Sequence, residues 1–359
     1  MQRMRSPRLR LTSRSRIAHA VVLSAALAAC GGSGDSSTPP GGPSNGQPGD
    51  DADASAMQGT DGSAPPVGSD AGGHDGSTPS TDSGSSSLDG SASTDAAGNA
   101  GAPTLPTATG ACPTFANGTV TFDPAGIPAR SAQVYMSSAA ATMHGPLIIY
   151  WYATGSSTAE VEYSLNTTLA TIEATGGIVV APQADPNAGE FEWYIVNGST
   201  KLDDFQVADE IVACAAQSTM IDTTHIHTMG MSAGALQTTA MSFLRSDYLA
   251  SVVTYSGGMP PGFSPPNENP SNKFAALIFD GGSTDDVFGV DFQAASQTYD
   301  STLTGAGHFA AICDHGMGHA IPTAAAPSVA LFFQANGYGV YPSPYVGGLP
   351  ASFPSYCTL

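Results

Sequence analysis

Residues 111–359 predict an α/β domain with a mostly parallel central sheet and helices on both faces. Three observations carry this. Short β-branched apolar runs alternate with longer segments of helical periodicity; the runs are apolar throughout, as strands buried on both faces are; and no internal repeat interrupts the series.

In chain order, Gly145-Pro146 opens Leu147 to Tyr152, an apolar strand. Thr158 to Thr175 places Val161, Leu165, Leu169 and Ile172 at helical spacing, and Gly177 to Pro182 is a second strand. Asp203-Asp204 begins a helix with Phe205, Val207, Ile211 and Val212 on its apolar side, its acids suiting the positive end of the helix dipole. His225 to Met229 is a strand, followed by a helix from Ala233 to about Arg245. Strands at Ser251–Tyr255, Phe274–Phe279 and Phe309–Cys313 follow, with helices near Phe292–Leu303 and Pro327–Asn336. Pro327 suits a first helical position and Gly337 the residue past the end.

The amino-terminal third reads differently. Residues 1–16 hold six arginines and no acid, and an apolar run from Ile17 ends in Leu27-Ala28-Ala29-Cys30. This is the pattern of an export signal over residues 1–29. Its ending looks like a bacterial lipobox, which puts a lipid anchor on Cys30 and the protein at a bacterial membrane or cell surface. Residues 30–110 are Gly, Ser, Pro, Ala, Thr and Asp with almost nothing to bury, and read as a disordered tether.

Of ten basic residues only Arg130, Lys201, Arg245 and Lys273 lie beyond the signal, against thirty acids, ten of them tether aspartates. The domain thus carries 4 − 20 = −16 with histidine neutral. Such a surface repels phosphate backbones and disfavours nucleic acid or polyanionic partners. Export permits disulfides among Cys112, Cys214, Cys313 and Cys357, and a clasp between Cys112 and Cys357 at the two ends of the domain is the preferred pairing. No CxxC spacing points to a metal, and no cofactor is expected.

Gly230-Met231-Ser232-Ala233-Gly234 matches G-x-S-x-G, and so does Gly42-Pro43-Ser44-Asn45-Gly46 in the tether. Context separates them. Only the Gly230–Gly234 match lies between a strand and a helix, where glycines let the chain reverse sharply and expose the serine oxygen at the carboxyl edge of the sheet. Ser232 is therefore the candidate nucleophile, and it needs a base held by an acid. Asp285, in the loop after the Phe274–Phe279 strand, is the chosen acid, with Asp286 and Asp280 as alternatives. His308 precedes the last strand and so falls at the wrong edge. His319 follows that strand and is the chosen base, with His315 as the alternative and otherwise a support for the loop.

Asp203-Asp204…Ile211-Val212-Ala213-Cys214, Ile221-Asp222…His225-Ile226…Gly230 to Gly234 and the run Cys313 to His319 together resemble the polyhydroxybutyrate-depolymerase and feruloyl-esterase group of α/β-hydrolases over most of residues 130–335. The resemblance implies an α/β-hydrolase fold and an extracellular serine esterase acting on a polyester or on acyl groups of a polysaccharide. Two positions depart from the group. Tyr152-Ala153 stands where such enzymes usually carry His-Gly, so the oxyanion donors are expected to be the backbone N–H groups of Ala233 and of Ala153 or Thr154. Ile321 stands where the polyester depolymerases often have tryptophan.

The Pro-rich stretch from Gly257 to Lys273 is too short for a large helical lid, which predicts an open site. Trp151, Trp193 and Tyr194 are candidates for a substrate platform. The rival expectation is a non-catalytic, surface-displayed binding module on a hydrolase scaffold, which the altered Tyr152-Ala153 loop favours and the Ser, Asp, His order opposes.

Overall fold

The computed structural model describes residues 101–218, 220–263 and 268–359. The signal segment, Cys30 and the tether up to residue 100 lie outside the described residues. The strands are β1 Gly118–Phe122, β2 Arg130–Tyr135, β3 Gly145–Trp151, β4 Ile178–Pro182, β5 Ile221–Met231, β6 Ser251–Tyr255, β7 Ala275–Asp280, the hairpin β8 Asp286–Val287 and β9 Val290–Asp291, β10 Phe309–Asp314 and β11 Cys357–Thr358. The helices are α1 Ala140–Met143, α2 Glu160–Leu165, α3 Thr167–Ala174, α4 Asp203–Gln217, α5 Ala233–Leu244, α6 Phe292–Gly305 and α7 Ala326–Ala335.

A nine-stranded sheet runs β1-β2-β4-β3-β5-β6-β7-β10-β11. From β4 to β10 every neighbouring pair is parallel, while β1, β2 and β11 add antiparallel edges. The parallel strands are buried along their whole length in β4, β6 and β7, which is why they read as unbroken apolar runs. On one face α5 is tied to α4 by Arg245 on Asp209 at 2.6 Å and to α6 by the Tyr299 hydroxyl on Ser242 at 2.7 Å. On the other, Phe333 of α7 stacks on His227 of β5 at 4.5 Å between centroids. Among the described residues no helix is long and apolar enough to cross a membrane.

Three expectations are corrected. The helix over Thr158–Thr175 is broken at Asn166, whose φ of 40° interrupts the hydrogen-bond ladder between α2 and α3. The folded region begins before residue 111, because Thr104 N–H donates to the Asp247 carbonyl and the N–H groups of Thr109 and Gly110 donate to the buried Glu210 carboxylate. The disulfides join Cys112 to Cys214 and Cys313 to Cys357, not Cys112 to Cys357. The first pins the amino-terminal arm to the last turn of α4; the second follows from register, since Cys313 and Cys357 face each other across the β10–β11 pair. Glu210 lies within 4.8 Å of Cys112 and Cys214, but those sulfurs are joined to each other.

Candidate active site

β5 ends at Met231 and α5 begins at Ala233, so Ser232 alone makes the turn, with φ 55° and ψ −119°. A non-glycine residue there is strained, at a cost of roughly 1–3 kcal/mol, and persists because its surroundings fix it. Its N–H donates to the Tyr255 carbonyl of β6 at 2.9 Å. Glycine at 234 is required by close approach: a Cβ there would run into the carbonyls of Trp151 and Tyr152. The end of β3 therefore lies directly against the elbow. Ala233 opens α5, where backbone N–H groups have no intrahelical acceptor and the dipole is positive.

The candidate acid and base arrive from two loops at the same edge. Asp285 follows β7 and is buried; His319 lies in the loop after β10. His319 Nδ1 is 2.7 Å from Asp285 Oδ1, and Nε2 is 2.8 Å from Ser232 Oγ. The second carboxylate oxygen of Asp285 accepts the Ser256 hydroxyl at 2.7 Å and the Gly281 N–H at 2.8 Å. Burial pushes the Asp285 carboxyl up, but the hydrogen bonds from His319, Gly281 and Ser256 outweigh it and hold the group below the ordinary carboxylate value. The Phe292 ring lies against the imidazole, 4.7 Å between centroids.

The alternatives fall elsewhere. Asp280 is buried at the end of β7, where its Oδ1 accepts the Gly282 N–H at 3.0 Å. Burial, then the charges of Asp314, Asp285 and Asp291, raise its carboxyl to about 6. Asp286 is exposed in β8. His308 pairs with the Phe274 carbonyl and Glu268 at the opposite edge. His315 supports its loop, its N–H donating to the Asp280 carbonyl at 2.9 Å and its Nδ1 accepting the Met317 N–H at 3.2 Å. Burial pulls the His315 imidazole down against the nearby acids.

The loop after β3 corrects one expected donor. The Ala153 N–H points at the Glu160 carboxylate, 3.1 and 3.3 Å from its two oxygens, and Glu160 also accepts the Tyr150 hydroxyl at 3.0 Å. The Gly155 N–H donates to Glu192 at 2.7 Å. Thr154 N–H, between them, has no acceptor among the described residues. Of the three expected oxyanion donors, Ala233 and Thr154 are uncommitted, and Ala153 is not. Burial raises the Glu160 carboxyl, partly offset by the Ser156 and Tyr150 hydroxyls and the Ala153 N–H.

Trp151, Trp193 and Tyr194 do not form a platform, because all three are buried. The Trp151 indole donates to Thr228 and packs edge-on to Trp193, whose own indole donates to the Tyr152 carbonyl at 2.9 Å. The exposed apolar groups are others. Phe288, 50 % exposed, stands at the tip of the β8–β9 hairpin with φ 54°, packed edge-on to Phe191 at 5.6 Å; Met317, 57 % exposed, sits two residues before His319. Ser256, Phe292, Glu160, Glu192, Phe191 and Phe288 were not singled out from the sequence. Only Ser256 left a signal there, as the residue just past the Ser251–Tyr255 strand at the carboxyl edge.

No protein-family model matches the chain, and no curated protein matches it in sequence. Among solved structures, native pOPH superposes with a TM-score of 0.54 at 15 % identity, covering 69 % of this chain and 96 % of that one. Native sOPH gives 0.52 at 16 % identity, with 69 % and 96 % covered. A variant of pOPH in complex with pNPB gives 0.51 at 15 % identity, with 69 % and 95 % covered. At this identity the likeness is one of architecture, and with the sheet order above it establishes that this chain has the α/β-hydrolase fold.

Proposed function

We propose that this protein is a carboxylic-ester hydrolase in which Ser232 is the nucleophile, His319 the general base and acid, and Asp285 the group that orients the imidazole. The observation that carries it is the position of His319, within hydrogen-bond range of Ser232 on one nitrogen and of Asp285 on the other.

A serine hydroxyl is a weak nucleophile until a base removes its proton as it attacks. His319 Nε2 takes that proton while Ser232 Oγ bonds to the ester carbonyl carbon. Asp285 stabilises the imidazolium. The negative charge on the carbonyl oxygen is met by the N–H groups of Ala233 and Thr154. The C–O bond to the alcohol then breaks, with His319 returning the proton to the departing oxygen. Water repeats the sequence on the acyl-enzyme and frees the acid. No step calls for a cofactor.

The exposed Phe288, with Phe191 packed on it, and the exposed Met317 lie on or against the loops that carry Asp285 and His319, which favours an ester with an apolar acyl portion. The short Pro-rich connection after β6 favours an open mouth, as a polymer substrate needs. A polyester or an acylated polysaccharide is the substrate class we assign. The signal-like amino terminus and Cys30 favour export and a lipid anchor at a bacterial membrane or surface. The test is hydrolysis of p-nitrophenyl butyrate by the wild type and by folded Ser232→Ala. The variant should lose at least about a thousandfold in kcat; equal turnover would remove the proposal.

A further inference from the structure

We infer that Glu160 and Glu192 are positioning residues that clamp the backbone on either side of Thr154 and so aim its N–H at the oxyanion. This rests on the esterase reading above and deepens it.

The loop that leaves β3 lacks the His-Gly pair expected from the group the sequence resembles and has Tyr152-Ala153-Thr154-Gly155 instead. Something else must fix its shape. Each peptide unit is a rigid plane, so its orientation is set wherever its N–H or C=O is held. The plane carrying the Ala153 N–H is held twice: by Glu160 on the N–H and by the Trp193 indole on the Tyr152 carbonyl. The plane carrying the Gly155 N–H is held by Glu192 at 2.7 Å. The Ser156 N–H closes a turn back to the Ala153 carbonyl at 3.0 Å, and Gly155, at φ 75°, occupies the position in that turn that needs a left-handed residue. The plane between the two carboxylates carries the Thr154 N–H, and its carbonyl, that of Ala153, is the one that accepts the Ser156 N–H, so the two glutamates fix the planes on either side of it. Just before it in the chain, the Trp151 and Tyr152 carbonyls lie against Gly234, the residue after Ala233.

The two carboxylates come from separate elements. Glu160 is the first residue of α2 and is itself held by the Tyr150 hydroxyl of β3. Glu192 belongs to the β4–α4 connection, beside Phe191, which packs on Phe288 of the hairpin that follows Asp285. The oxyanion loop and the acid loop are thus linked through Glu192 and the Phe191–Phe288 contact. Two carboxylates beside a developing negative charge are a poor choice for electrostatic reasons alone, so their use as acceptors for the flanking N–H groups accounts for them better than their charge does.

The test compares Glu192→Ala, Glu192→Gln and Glu160→Ala with the wild type, using p-nitrophenyl acetate turnover and the rate of Ser232 phosphonylation by a fluorophosphonate, with melting curves to verify folding. Glutamine keeps an acceptor oxygen and removes the charge. The clamp predicts that Glu192→Ala loses about 10- to 100-fold in kcat and in labelling rate, less than outright loss of a donor, with KM within about twofold. Glu192→Gln should stay within about threefold of wild type, because position and not charge is what the carboxylate supplies. Glu160→Ala should act like Glu192→Ala, and where it fails to fold Glu192 decides the matter. A folded Glu192→Ala with wild-type kcat, a loss confined to KM, or a glutamine variant as impaired as alanine would overturn the clamp while leaving the esterase reading intact. A wild type inert to both ester and probe would overturn that reading and the clamp with it.

Discussion

The Ser256 hydroxyl donates to Asp285 Oδ2 at 2.7 Å, the carboxylate oxygen that His319 does not use. Ser256 sits just past β6 as Ser232 sits just past β5, and both have left-handed backbone, with φ 50° and 55°. Each N–H reaches sideways to the last residues of the next strand, Ser232 to Tyr255 and Ser256 to Phe279. One strand end carries Ser232, the proposed nucleophile, and its neighbour steadies Asp285.

Removing that hydroxyl should therefore affect chemistry before stability. Ser256→Ala leaves Asp285 Oδ2 with the Gly281 N–H alone. Its carboxyl should rise towards the ordinary value, since one of the bonds that lowers it is gone. We expect kcat for a short ester to fall by about 3- to 10-fold with KM little changed, corresponding to about 1 kcal/mol for a hydrogen bond to a charged group in the transition state. Steady-state kinetics on the folded variant decide it.

Asp280 makes a statement about pH and stability. Its folded carboxyl is raised to about 6 against an ordinary 3.8, so the native state binds this proton more tightly than the unfolded chain does. Its contribution is most favourable below the unfolded value and is lost as pH rises from about 4 through 6. Asp280→Asn keeps an acceptor for the Gly282 N–H and removes the ionisation. Denaturant midpoints at pH 4 and pH 7 should show a gain on the order of 1–2 kcal/mol at pH 7 and little change at pH 4. An equal shift at both pH values would contradict this assignment.

The Cys112–Cys214 disulfide closes a sequence separation of 102 residues and pins the arm that Thr109 and Gly110 anchor to Glu210. Loop-closure entropy for such a ring sets a ceiling of about 4–5 kcal/mol, and typical losses are about 2–4. Replacing both cysteines by serine should lower Tm by about 5–15 °C while leaving turnover per folded molecule unchanged at 25 °C, since the bond is remote from Ser232. Paired thermal melts and initial rates test both halves.

Phe288 is half exposed with a strained backbone, and its ring packs edge-on to Phe191. Phe288→Ala should reduce kcat/KM for a p-nitrophenyl octanoate by about 3- to 10-fold and leave the acetate ester within twofold. Burying a few methylenes against the ring is worth on the order of 1 kcal/mol. A uniform loss across chain lengths would remove the acyl-wall role.

Much of the frame was legible because burial on both faces leaves a plain mark in sequence. The unbroken apolar runs of β3, β4, β6 and β7 and the glycines around Ser232 each answer a local demand, and local demands can be read one residue at a time. Asp285 and His319 were legible by topology, as residues that follow parallel strands must emerge at one edge. What depended on distant surfaces meeting was not. Trp151 and Trp193 are large and carry a polar atom, which fits a platform as well as a core; only the Thr228 and Tyr152 acceptors decide for the core. The arm at 104–110 has the composition of a tether and folds because Glu210 lies beneath it. Four cysteines allow three pairings, and register across β10 and β11 selects one. The link from Ala153 to Glu160 joins a loop to a helix start, and no motif announces it.

The central claim is that the imidazole of residue 319 activates the hydroxyl of residue 232, and covalent labelling reads that directly. Treat the wild type, Ser232→Ala and His319→Ala with a fluorophosphonate and locate the adduct by peptide mass spectrometry. The account predicts one phosphonylated residue, Ser232, in the wild type, no adduct in Ser232→Ala, and labelling slowed at least about a hundredfold in His319→Ala. A wild type that stays unlabelled, or a His319→Ala variant that reacts at the wild-type rate, would contradict it.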